Sequence, residues 1–211
     1  MRAGIFGLRA WANGGAIGDV TGQFGVDDVD VAGGKNTTLA PLTWNISGRK
    51  QIWQIGSVNR KATGFEASGP PHEHARAAKC PANLTFTIGE SGTEDWCFAQ
   101  TKLGAWNVSF SLPSLPINNS TAAVLTTSLA GWSSGSSIVV LVNDVRVGNL
   151  SAIASDPSVY RSGTLAGEWH LFEFAVPGGV LRKGENEVRF NVTKSTALRG
   201  VMWDSVVLEW A

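Results

Sequence analysis

Glycine and proline punctuate this chain so closely that the longest stretch free of both runs only from Glu185 to Arg199. An amphipathic helix therefore has few places to nucleate and propagate. What repeats instead is two-residue alternation: Leu84, Phe86, Ile88; Trp106, Val108, Phe110, Leu112; and Val188, Phe190, Val192, each set bounded by Gly, Pro, Asn or Ser. Such alternation predicts half-buried antiparallel strands. Ile138 to Gly148 reads as two strands about a tight Asn143-Asp144 turn, because both residues tolerate positive φ. Trp169 to Val176 and Val201 to Trp210 bring the strands after residue 49 to at least eight. That number suits a double-sheet jelly-roll sandwich, so the fold class read from the sequence is all-β.

Residues 1–48 behave differently. They offer strands at Phe6 to Ala12, Val26 to Val31 and Leu39 to Asn45, with a Gly14-Gly15 turn. So few strands make an incomplete sandwich that can barely cover its own apolar face. We place a domain boundary at Ser47 to Lys50, dividing the chain into 1–48 and 49–211. Met1 to Gly7 lacks the apolar core of a signal peptide. A leader and the partner strands of the first unit are accordingly expected upstream.

Seventeen basic residues balance seventeen acidic ones without clustering, which gives no electrostatic footprint for nucleic acid or an anionic membrane. No apolar run approaches the roughly 18 to 20 residues of a membrane span. A soluble monomer is expected. Its compartment follows from asparagine. Of twelve Asn, eight open an N-x-S/T triplet, namely Asn36, Asn45, Asn83, Asn107, Asn118, Asn119, Asn149 and Asn191. Chance at this composition gives about two, so the excess points to a secreted, extracellular glycoprotein. In that setting Cys80 and Cys97 are expected to form a disulfide.

Groups that could carry chemistry are sparse. His72 and His74 have the spacing of two metal ligands on a strand, yet no carboxylate follows them, and they read as a polar loop. No metal site and no cofactor is expected, and no motif supports a structural Ca²⁺. Asp27, Asp28 and Asp30, or Glu90, Glu94 and Asp95, could supply paired glycosidase carboxylates, but their spacing specifies nothing. Arg60-Lys61 and Arg182-Lys183 read as solvated pairs. Sugar contact asks for flat aromatic faces beside planar polar groups. Nine Trp are present. Trp132, in a loop of small residues that could not cover an indole, and Trp96, beside Cys97, are the candidate surface rings for sugar contact, joined by Tyr160 and Arg161, with a structural role the alternative for each. Trp44, Trp53, Trp106 and Trp203 fall in strand patterns and are expected in the core.

Several short motifs, taken in order, carry a resemblance. They are Ile52-Trp53-Gln54-Ile55-Gly56, Asp95-Trp96, Val142-Asn143, Val147-Gly148, Arg161-Ser162-Gly163, Leu181 with Gly184 and Asn186, and Gly200-Val201-Met202-Trp203-Asp204 with Leu208-Glu209. This series resembles the C-terminal part of rhamnogalacturonan endolyases of the fungal and plant type. Residues 1–48, with Trp11-Ala12-Asn13-Gly14-Gly15, are similar to the last strands of that family's fibronectin-type-III-like domain. Residues 49–211 are similar to its carbohydrate-binding-module-like jelly roll. The resemblance implies pectic polysaccharide, rhamnogalacturonan I, as partner. It also implies a catalytic N-terminal domain of the same polypeptide, whose Lys and His match no position here. Catalytic residues are therefore none, and the chain is expected to be inactive by itself. The implied role is to hold or position polysaccharide, with a structural brace as the alternative. For Arg161 and Asp204, pairing at loop ends and ligand contact both stay open.

Overall fold

The structure, a computed structural model, describes residues 4–13, 21–31, 49–69, 76–116, 122–151, 155–161, 167–195 and 199–211, with only the backbone path for 4–13, 21–31 and 160–161. The chain divides into two compact units, Met1–Gly48 and Arg49–Ala211. In the first, β1 (Gly4–Asn13) and β2 (Thr21–Val31) pair antiparallel, from Gly4 opposite Val31 to Asn13 opposite Thr21. These contain the strands expected at Phe6 and Val26. The one expected at Leu39 to Asn45, with Trp44, lies outside the described residues.

The second unit carries ten strands: β3 (Lys50–Gly56), β4 (Leu84–Thr87), β5 (Ala99–Gln100), β6 (Gly104–Leu112), β7 (Ala123–Trp132), β8 (Ser137–Val142), β9 (Val145–Leu150), β10 (His170–Val176), β11 (Gly184–Lys194) and β12 (Val201–Trp210). One sheet runs β10-β7-β12-β3 with β5 added on β12, and the other runs β4-β6-β11-β8-β9. Successive strands alternate between the sheets except at the β8–β9 hairpin, which is the jelly-roll way of closing two sheets on one core. Asn143 and Asp144 turn that hairpin at φ 46° and 64°, as their tolerance of positive φ predicts.

The alternating residues meet between the sheets. Trp106, Val108, Phe110 and Leu112 of β6, Val188, Phe190 and Val192 of β11, and Ile138, Val140 and Val142 of β8 are all buried. Trp53 and Trp203 join them, as expected of strand tryptophans. Cys80 and Cys97 are bonded and buried. By the loop-entropy model a bridge of this span contributes about 3 kcal/mol.

β12 departs from simple alternation, because every residue from Val201 to Glu209 is buried. It lies between β7 and β3, so both edges are paired. Its outward side is covered at the Met202 end by the helical turn Ser158–Arg161, which contacts both β12 and β7. The approach is so close that a side chain at Gly131 would collide with the Ser158 hydroxyl.

Candidate functional site

Both candidate surface tryptophans are buried. Trp96 has no exposure, and it sits at the centre of an aromatic cluster, edge-on to Phe86, Trp106, Phe190 and Trp203 at centroid distances of 5.9, 5.0, 6.3 and 5.4 Å. The neighbouring disulfide fixes it inward: the chain leaves an exposed turn at Thr93–Asp95 and dives between the sheets at Cys97. Trp132 is 1 % exposed, and residues distant in sequence bond to the backbone beside it. The Asp156 amide donates to the Trp132 carbonyl at 2.8 Å and the Gly167 amide to that of Ala130 at 2.6 Å. The Asp156 carboxylate in turn accepts the amides of Trp132, Ser158 and Glu168 at 3.1, 2.7 and 3.1 Å. One side chain thus ties Ser158 and Glu168 to the end of β7. Neither indole can serve as an exposed platform. The backbone of Tyr160 and Arg161 lies in the helical turn, and their side chains are outside the described residues.

The arrangement that does reach the surface lies on the outward side of the β10-β7-β12-β3 sheet. In β10, His170 and Phe174 are buried while Leu171 between them is 48 % exposed. The same parity turns Trp169 outward, where it is half-buried. Its indole Nε1 donates to the Ser128 Oγ at 2.7 Å, and that hydroxyl donates to the Asp204 Oδ2 at 2.5 Å. Asp204 follows the inward-facing Trp203 and so points outward by strand alternation, at a place where the β7–β12 register shifts between Trp203 and Ser205.

Asp204 is 1 % exposed. Its other oxygen, Oδ1, accepts the backbone amides of Asn59 and Lys61 at 3.0 and 3.3 Å, and the Arg60 amide also bonds to this carboxylate. Burial raises the Asp204 pKa above its ordinary value, against the Ser128 hydroxyl and the three amides, which pull it down. The tight turn so held places Arg60 at φ 65°, a left-handed conformation that costs a non-glycine residue about 1 kcal/mol. The turn leaves β3 at Gly56, where a side chain would strike the Asp204 carbonyl and the Phe65 ring. From that turn the Arg60 guanidinium lies over the Trp169 ring, 4.6 Å from its centroid.

Sequence reasoning gave Arg60 and Lys61 no role beyond solvation and did not single out Trp169 or Ser128. The outward parity of Trp169 was available from the inward set His170, Phe172, Phe174 and Val176. The stacking of Arg60 was not, since it depends on a carboxylate 144 positions away. For Asp204 the structure shows pairing at a loop end.

Among the described residues no three His, Cys, Asp or Glu side chains gather in a way that could hold a metal ion. His72 and His74 lie outside them, as do Asn36, Asn45, Asn118 and Asn119. Asn83 is exposed, and its side-chain oxygen accepts the Ala105 amide at 3.0 Å. Asn107, Asn149 and Asn191 are half-buried on β6, β9 and β11, and the side-chain oxygens of Asn107 and Asn149 have no partner. Among the described residues no helix is long and apolar enough to cross a membrane.

Fold and site together define an all-β, disulfide-bonded sandwich module with a stacked tryptophan–arginine pair on one sheet. The family model "CBM-like: Polysaccharide lyase family 4, domain III" matches residues 51–208, and the chain belongs to that family. A curated relative, the rhamnogalacturonate lyase of the bacterium Dickeya dadantii (strain 3937), is 29 % identical over 213 residues, covering 97 % of this chain. The chain spans 35 % of that relative's length. Among solved structures, a family GH115 4-O-methyl-alpha-glucuronidase, BtGH115A, aligns with 84 % of this chain and 19 % of its own, at TM-score 0.42 and 14 % identity. A family 35 carbohydrate binding module from an environmental isolate aligns with 76 % of this chain and 98 % of its own, at TM-score 0.35 and 14 % identity. At these scores nothing about the ligand of this chain follows from either.

Proposed function

We propose that this chain is the accessory part of a secreted rhamnogalacturonan lyase, a non-catalytic module that holds or positions pectic polysaccharide for a catalytic domain elsewhere in the same polypeptide. The match of residues 51–208 to domain III of polysaccharide lyase family 4 carries the reading. The rhamnogalacturonate lyase relative supports the substrate class, and the sequon excess supports an extracellular setting with N-glycans on residues such as Asn83. Residues 1–48 serve in this reading as part of a fibronectin-type-III-like neighbour. The half-buried Trp169 with Arg60 stacked on it is a described surface that sets an aromatic ring beside a planar polar group.

Electrophoresis of the purified chain through gels cast with rhamnogalacturonan I tests the proposal. Retardation relative to a gel containing a neutral cellulose ether is expected, and equal mobility in both would contradict it. A second reading, a structural brace with little sugar affinity, is favoured by the burial of Trp96 and Trp132. It predicts equal mobility.

A further inference from the structure

We propose that Arg60, braced on Trp169 and joined by Lys61, is a recognition site for the carboxylates of an acidic polysaccharide, so that the module reads the uronate units of its ligand and not the neutral sugars. The inference rests on the polysaccharide-holding role proposed above and assigns it a chemical group and an address.

Four observations carry it. First, the Arg60 guanidinium makes no hydrogen bond or ion pair among the described residues; its one recorded partner is the indole face. Other described arginines are engaged: Arg49 with Glu173 at 2.7 Å, Arg189 with Asp144 and Glu187 at 2.9 and 2.6 Å, Arg76 with the Ala67 carbonyl, and Arg182 with that of Glu185. Arg146 also has no side-chain partner among the described residues, but it is exposed on β9, whereas Arg60 is half-buried against a ring. Second, stacking occupies the flat face of a guanidinium and leaves its five in-plane N–H donors for a ligand, the fork that fits a carboxylate bidentately.

Third, the pair is held in advance of any ligand. Trp169 is fixed through Ser128 to Asp204, and the same carboxylate binds the amides on either side of Arg60. The left-handed backbone of Arg60 is a conformation that nothing in the turn's own sequence demands, since no glycine stands there. Strain sustained by a buried carboxylate, with an arginine as its product, points to a use for that arginine. A site already ordered loses little entropy on binding. Fourth, Lys61 is exposed beside Arg60 and its ammonium has no hydrogen-bond or ion-pair partner among the described residues, which adds a second positive charge. Glu168, exposed next to Trp169, forms no ion pair with either residue.

The test compares rhamnogalacturonan I with the same polymer after carboxyl reduction, which turns each uronate into a neutral sugar and changes nothing in the protein. The wild-type chain is expected to bind the reduced polymer about tenfold more weakly. The Arg60→Ala variant, checked for an unchanged circular dichroism spectrum, is expected to lose a similar factor on the native polymer and none on the reduced one. Arg60→Lys, which restores charge without the fork, should recover part of the loss. Equal binding of native and reduced polymer by the wild type, or full affinity in Arg60→Ala, overturns this site while leaving the polysaccharide-holding role intact. No binding of native rhamnogalacturonan I by the wild type overturns both.

Discussion

Replacing Trp96 with alanine is expected to lower the unfolding free energy by about 4 kcal/mol, the usual range for truncating a large aromatic side chain in a core. Trp96 touches four other rings, contributed by β4, β6, β11 and β12, so it joins the two sheets at one point. No neighbour is placed to refill a volume bounded on both sides by sheets. For a chain of this size the loss corresponds to a fall in Tm of roughly 10 °C. Thermal unfolding followed by circular dichroism reads it directly. Wild-type stability combined with lost polysaccharide retention would instead make Trp96 a surface contact, as its flanking residues suggest and its burial contradicts.

Asp204 is the second large effect. Truncation to alanine strips an acceptor from the Ser128 hydroxyl and from the amides of the 59–61 turn, all at one buried point, and is expected to destabilise by about 3 kcal/mol. The pH dependence has a definite sign. Burial, the dominant influence, raises the Asp204 pKa in the folded state above that of the unfolded chain, so the folded protein holds this proton more tightly. The associated stability is fully present below the ordinary carboxylate pKa of about 4 and is lost as pH climbs through the folded value. Urea unfolding of wild type and Asp204→Asn between about pH 4 and 7 isolates this contribution, since asparagine does not titrate. The wild type is expected to lose ground to the variant as pH rises. The opposite slope would mean that the hydrogen bonds outweigh burial and that the carboxylate is held charged.

Much of the fold is legible in the sequence because it is written locally. The alternation in β6 and β11 assigns their inward faces residue by residue, and Asn143-Asp144 names its own turn. The disulfide is legible once the asparagine triplets supply a compartment. Exposure of individual tryptophans is not local. Trp132 sits among Gly and Ser, which by themselves could not cover an indole, yet it is buried where Asp156 and Gly167, distant in sequence, bond to the backbone at the end of β7. Trp96 follows an exposed acidic turn, and the disulfide then draws it between the sheets. The Arg60–Trp169 pair needs three segments at once, the 59–61 turn, the start of β10 and the bulge in β12, which no spacing pattern reports.

In the proposed division of labour this module grips acidic polysaccharide, and bond cleavage belongs to another part of the polypeptide. Incubating the purified chain with rhamnogalacturonan I and following the ultraviolet absorbance of unsaturated uronate ends tests that division most directly. The predicted result is a flat trace from a protein that the same polymer still retards in a gel. A rising trace from this chain alone would contradict it.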